Sequence, residues 1–135
     1  MNITLPPPPP QTKFSGVVMK IINAYLYWNN IIRHIPKIHR YSLGVKIDCL
    51  FSDIIELSSM AQFSVQEERT EILIKAIAKN DCLKTMLYVL FELKGIEEKD
   101  FIELAQKVEE IGRILYGWKN QPIKNIKNTK QRNLV

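Results

Sequence analysis

Ile35-Pro36-Lys37-Ile38-His39-Arg40-Tyr41-Ser42-Leu43-Gly44 and the run from Val45 to Phe63 that follows it set the architecture of this chain. Pro36 has no backbone N–H, and its ring disfavours helical geometry at Ile35, so a helix arriving from the N-terminal side must end there. Beyond the proline, Leu43, Ile47, Leu50, Ile54, Leu57 and Ala61 alternate steps of four and three, a heptad seam within a helix expected over about 40–63. Phe51 and Ile55 widen the stripe enough to face two neighbours. Two helices therefore meet at a corner that carries His34, Lys37, His39 and Arg40. A phosphate backbone, an acidic protein surface or plain solvent would each suit such a corner.

Upstream, Phe14, Val17, Val18, Ile21, Ile22, Tyr25, Trp28, Ile31, Ile32 and Ile35 recur at helical spacing, predicting helix one over about 13–34 with Thr12 or Ser15 as its cap. Before it, Leu5 and five prolines form an extended leader over 1–12, either a stiff strap along the protein or a proline-rich ligand for an aromatic groove. Downstream, Ser64 and Glu67 have the spacing of a capping box. Helix three is expected over about 65–93, with Leu73, Ala76, Asn80, Leu83, Leu87 and Leu90 in one seam and Gly95 as the C′ residue. Asn80 is the polar member of that row, a position that often fixes register or oligomeric state. Helix four starts near Glu97 and ends near Asn120, burying Phe101, Leu104, Ala105, Val108, Ile111, Leu115 and Trp118. Gly112 and Gly117 each cost about 1 kcal/mol in mid-helix relative to alanine, so another helix or subunit is expected to approach closely there. A polar, basic tail follows over 121–135 and reads as disordered. Four long helices over 13–120, short connections and no strand pattern predict an all-α, antiparallel, up-down-up-down four-helix bundle.

Charge is unevenly distributed. The chain has 19 basic and 14 acidic residues, net +5, yet residues 1–47 contain six Lys/Arg and no carboxylate. Residues 95–120 carry −2. This asymmetry points to an anionic partner, or to subunits meeting basic face on acidic face. Cys49 and Cys82 lie in apolar helical patterns and read as buried free thiols of a reducing compartment. Two cysteines and two histidines at these spacings make no metal cluster, and no stretch reaches the ~20 apolar residues of a membrane span. The N-terminus lacks a charged region leading into an apolar run, so a cytoplasmic location is expected. There is no glycine-rich phosphate loop, no HExxH, no Glu-x-x-His pair and no Ser/His or Cys/His arrangement, so no enzyme and no cofactor are expected. Glu109 and Glu110 diverge by about 100° around a helix, and Ser58-Ser59 suits a close helix approach better than a nucleophile.

Three motifs carry a resemblance. The corner at 35–44 matches a pattern F-P-K-x-H-R-F-x-L-G, Glu110-Ile111-Gly112-Arg113-Ile114-Leu115-Tyr116-Gly117-Trp118 matches E-I-G-R-x-L-x-G-W, and Asn80 with Leu83 matches A-N-x-x-L. Over about 13–119, with the first two motifs in the right order, they resemble the accessory variability determinant (Avd) proteins of diversity-generating retroelements. The resemblance implies a noncatalytic four-helix bundle that assembles into a homopentameric barrel, binds the element's reverse transcriptase, and engages template RNA or DNA through a basic surface during mutagenic retrohoming. Lys37, Arg40 and Arg113 match motif cations, whereas Gly44, Gly112, Gly117 and Trp118 match positions that look structural. Some members carry helix-three arginines where this chain has Leu87 and Phe91, which moves the expected nucleic-acid contacts to the corner. The candidate contact residues are Arg33, Lys37, His39, Arg40, Lys46 and Arg113, and reversing Lys37 and Arg40 is expected to abolish binding with helicity intact. The alternative is a bundle of the type encoded by intervening sequences in ribosomal RNA genes, an oligomeric scaffold without a nucleic-acid role.

Overall fold

Ser15 starts the first helix as its residue type predicts, its Oγ accepting from the Val18 N–H at 3.4 Å. The computed structural model describes residues 14–121, so the proline-rich leader and nearly all of the basic tail lie outside the described residues. Five α-helices follow: α1 Gly16–Ile31, α2 Lys37–Arg40, α3 Leu43–Phe63, α4 Gln66–Glu92 and α5 Glu98–Lys119, with a 3-10 turn at Ile32–His34 and no strand among the described residues. The molecule is all-helical and compatible with a helical bundle. Helix α3 packs on α4, α4 on α5, and α1 against both α3 and α5.

The corner is more broken than periodicity implied. Ile35 is extended (φ −78°, ψ 131°), as the residue before a proline must be, and α1 tightens into the 3-10 turn before reaching it. The helix expected from about residue 40 begins at Leu43, and a separate single turn, α2, precedes it. Ser42 sits between them at φ −121°, ψ −88°. Its Oγ donates to the Ile38 carbonyl at 3.1 Å and lies 3.4 Å from that of His39. A serine that bonds its own preceding turn offers the backbone an alternative to continuing the helix.

The capping box at Ser64 does not form. Ser64 turns back and donates to the Ala61 carbonyl at 3.0 Å, serving the end of α3, and Val65 takes the cap position of α4 without a side-chain bond. Arg69 completes the connection by donating to the carbonyls of Ala61 (3.0 Å) and Ser64 (3.2 Å). The carbonyls that end α3 lack intrahelical donors, and these side chains supply them. At the other end of α4 the left-handed residue is Lys94 (φ 60°), not Gly95. Lys94 N–H reaches Phe91 O at 2.9 Å and Gly95 N–H reaches Leu90 O at 2.8 Å, the two bonds of a Schellman motif with glycine at C″. Gly95 is required for space: a Cβ there would overlap the Leu90 side chain and approach His39 Cδ2 to 3.1 Å.

The buried set follows the helical stripes. Leu73, Ala76, Asn80, Leu83, Leu87 and Leu90 are all buried on α4, as are Leu104, Val108, Ile111 and Leu115 on α5. Trp28 and Phe51 stack at the centre with ring centroids 6.3 Å apart. Phe91 and Phe101 stack at 4.4 Å near the α4–α5 turn. Leu87 thus belongs to the interior, where arginine has no place, and the half-buried Phe91 packs against it.

Several residues are less buried than expected, among them Phe101 and Ala105, which are half-buried. Phe14 is exposed. Cys49 is exposed and Cys82 half-buried, because Ile47, Leu50 and Phe51 occupy the inward arc of α3 and Cys49, two residues past Ile47, falls about 200° away. Trp118 is half-buried at the end of α5, with the Arg69 guanidinium 5.6 Å from its ring centroid. Replacing it by alanine removes part of a contact, not a filled cavity. Trp118→Ala is expected to destabilise by about 1–2 kcal/mol, short of the ~3–5 kcal/mol of a fully buried aromatic. Urea unfolding followed by circular dichroism measures the difference.

Candidate nucleic-acid interface

The six candidate residues do not form one surface. Arg33 lies in the 3-10 turn, Lys37 opens α2 and Lys46 lies in the first turn of α3, and all three are exposed. Among the described residues the ion pairs are Lys20–Glu110, Lys79–Asp53, Lys84 with Asp81 and Glu109, and Lys107–Glu103. None involves Arg33, Lys37 or Lys46. Their charges remain available to an external anion.

Arg40 is committed elsewhere. Its Nε and Nη2 donate to the Ile35 carbonyl at 3.2 and 3.0 Å, and Nη2 donates to the Arg33 carbonyl at 2.7 Å. The guanidinium therefore closes the end of α1 and its 3-10 turn, where carbonyls lack helical donors. Reversing Arg40 to glutamate would set a carboxylate against those carbonyls and loosen the corner. It is a poor test of binding.

His39 also turns inward, half-buried, with its ring edge beside Gly95, while its carbonyl lies 3.3 Å from where a Cβ of Gly44 would stand. Several motif residues at the corner thus hold it in shape. Arg113 is remote from it. It lies 15 residues along α5 from Glu98, about 22 Å at 1.5 Å per residue, and lines a separate cleft with Asp81, Lys84, Glu109 and Tyr116.

The other two motifs meet in space. Asn80 on α4 is fully buried, and its Nδ2 donates to the Val108 carbonyl on α5 at 3.1 Å. A Cβ at Gly112 would stand 3.0 Å from that nitrogen. Gly112 is the notch that lets the amide reach the α5 backbone, so the close approach expected there comes from within the chain. Asn80 is spent on an internal contact and does not itself argue for a subunit interface. Gly117 has open space around it.

Sequence reasoning overlooked the carboxylates that folding returns to the corner. A cleft of about 500 Å³ separates His34 and Pro36 from Phe91, Glu92, Lys94, Gly95, Ile96 and Glu97. Glu92 and Glu97 line it together with Lys94 and His34, and counting charge along the first third alone could not reveal this. The antiparallel order expected for the helices already brings the 92–97 turn to this end.

The acidic fourth long helix is likewise partly answered within the chain. Lys84 bonds Glu109 at 2.8 Å and Lys20 bonds Glu110, and these hydrogen bonds hold both carboxyls below their usual range. Tyr27 donates to Asp100 at 2.8 Å; burial first, then that bond, pushes its phenol up to about 12. Among the described residues no three His, Cys, Asp or Glu side chains gather as a metal site, and no helix is long and apolar enough to cross a membrane. No protein-family model matches the chain, and no curated protein matches it.

Proposed function

We propose that this protein is a noncatalytic, cytoplasmic accessory protein of the Avd kind, an antiparallel four-helix bundle assembled as a homopentamer that holds RNA and the reverse transcriptase of a diversity-generating retroelement. The observation that carries the nucleic-acid part is the exposure of Arg33, Lys37 and Lys46, none of them in an ion pair among the described residues, in the part of the chain that precedes the first carboxylate. The bundle reading is supported by the circuit of packing, α1 with α3, α3 with α4, α4 with α5 and α5 with α1, joined by short connections. Phosphate contacts by these cations position RNA without reading its sequence. Five-fold repetition would add weak contacts through multivalency.

The test is binding of a labelled RNA by the parent and by Lys37→Glu/Lys46→Glu, with Arg40 left in place. The double variant is expected to lose at least tenfold in affinity. Its log–log salt slope should be shallower by roughly 0.7 per lost single-strand contact. Light scattering should give five subunits for both proteins. Equal affinity and equal slope would favour the scaffold reading, for which the exposed Leu26, Ile74 and Ile102 offer surface for self-association.

A further inference from the structure

The two most exposed large apolar side chains among the described residues are Ile38, 76% exposed, and Tyr41, 72% exposed. They lie three residues apart, on and just beyond the single turn α2, so they share one side of the corner. Lys37 is in the same turn, Arg33 precedes it and Lys46 follows. Val45, half exposed, extends the apolar ground into α3. Neither Ile38 nor Tyr41 contributes to the core: Ile35, Ile47 and Leu50 fill it on this side.

We propose that Tyr41 and Ile38 form a platform on which an unpaired base of single-stranded RNA stacks while Arg33, Lys37 and Lys46 hold the adjoining phosphates. The inference rests on the nucleic-acid reading above and narrows it to single strands. Exposed apolar side chains and unpaired cations in one place match a ligand that is anionic along its backbone and apolar on its faces. A single strand has both properties, whereas a duplex hides its base faces in the stack. An anionic lipid surface shares the chemistry, but a helix of four residues is far shorter than the amphipathic helices that lie in such a surface.

The test compares the full-length parent with Tyr41→Ala, Tyr41→Phe and Lys37→Glu/Lys46→Glu, using a fluorescein-labelled oligoadenylate, a blunt RNA duplex of equal length, and phosphatidylserine vesicles. Tyr41→Ala should weaken single-strand binding roughly tenfold, the loss of one aromatic–base stack, with the salt slope unchanged because no phosphate contact is lost. Tyr41→Phe should bind as the parent does, since the ring and not the hydroxyl makes the contact. Duplex binding should be the same for the parent and both Tyr41 variants. If Tyr41→Ala keeps full single-strand affinity while the lysine reversals lose it, the platform is refuted and the phosphate contacts stand. A parent that binds no RNA overturns the functional reading and the platform with it. Vesicle capture that Tyr41→Ala abolishes, with RNA binding untouched, makes the surface a lipid contact and also overturns the proposal.

Discussion

Trp28→Ala is expected to destabilise the protein by roughly 3–5 kcal/mol, the usual cost of removing a fully buried aromatic side chain. Trp28 has no exposed surface and stacks on Phe51, itself fully buried and 5.8 Å from the Tyr25 ring. The three rings tie α1 to α3, and truncation leaves a cavity that rigid helices fill poorly. At about 4 °C per kcal/mol for a domain of this size, Tm should fall by roughly 12–20 °C. Trp28→Phe provides the internal comparison. The indole Nε1 is buried with no hydrogen-bond partner among the described residues, so phenylalanine loses volume but also removes an unsatisfied donor. Its cost should stay below about 1.5 kcal/mol. Thermal melts in which Trp28→Ala cost as little as Trp28→Phe would contradict the assignment of this residue to the core.

Gly112→Val should rank next, at about 2–4 kcal/mol. The Cβ alone would stand 3.0 Å from Asn80 Nδ2, and the two methyl groups of valine, stiff at χ1, add bulk beside it. Either α4 and α5 move apart, or Asn80 withdraws and its bond to the Val108 carbonyl is lost in a buried site. The better helix propensity of valine offsets only about half a kcal/mol. The mechanism predicts strong coupling. Asn80→Ala makes room for the new side chain, so the double variant should cost at least about 1 kcal/mol less than the sum of the two single changes. Additive costs in urea unfolding would mean that the two residues do not meet.

Much of this molecule was legible because an α-helix is a local object. The periodic row on α4 named its buried residues, and that on α5 named Leu104, Val108, Ile111 and Leu115 while overrating Phe101, Ala105 and Trp118, since 3.6 residues per turn fixes which side chains share a face but not how deep its edges lie. Pro36 located the corner through a clash with its immediate neighbour, and Ser15 located the start of α1 through a bond to a residue three positions on. Less was legible where two rules competed for one residue. Ser64 had the spacing of a cap for the following helix but serves the preceding one, because the Ala61 carbonyl lay within reach.

The cations and glycines divide most sharply. Sequence supplies Arg33, Lys37, Arg40 and Lys46 as equivalent charges, yet Arg40 bonds two backbone carbonyls while the other three enter no ion pair among the described residues. It supplies Gly112 and Gly117 as equivalent weaknesses in one helix, yet Asn80 presses against the first and nothing approaches the second. By itself, then, the sequence determined the helices, the faces they bury and the place where the first long helix ends. Only the tertiary structure decided which charges are spent, which glycines are needed and which carboxylates return to the corner. Periodicity and steric punctuation act over a few residues of one chain segment. Contacts between helices depend on how separate backbones are set against one another, and residues such as Asn80 and Gly112, thirty-two positions apart, carry no local mark of meeting.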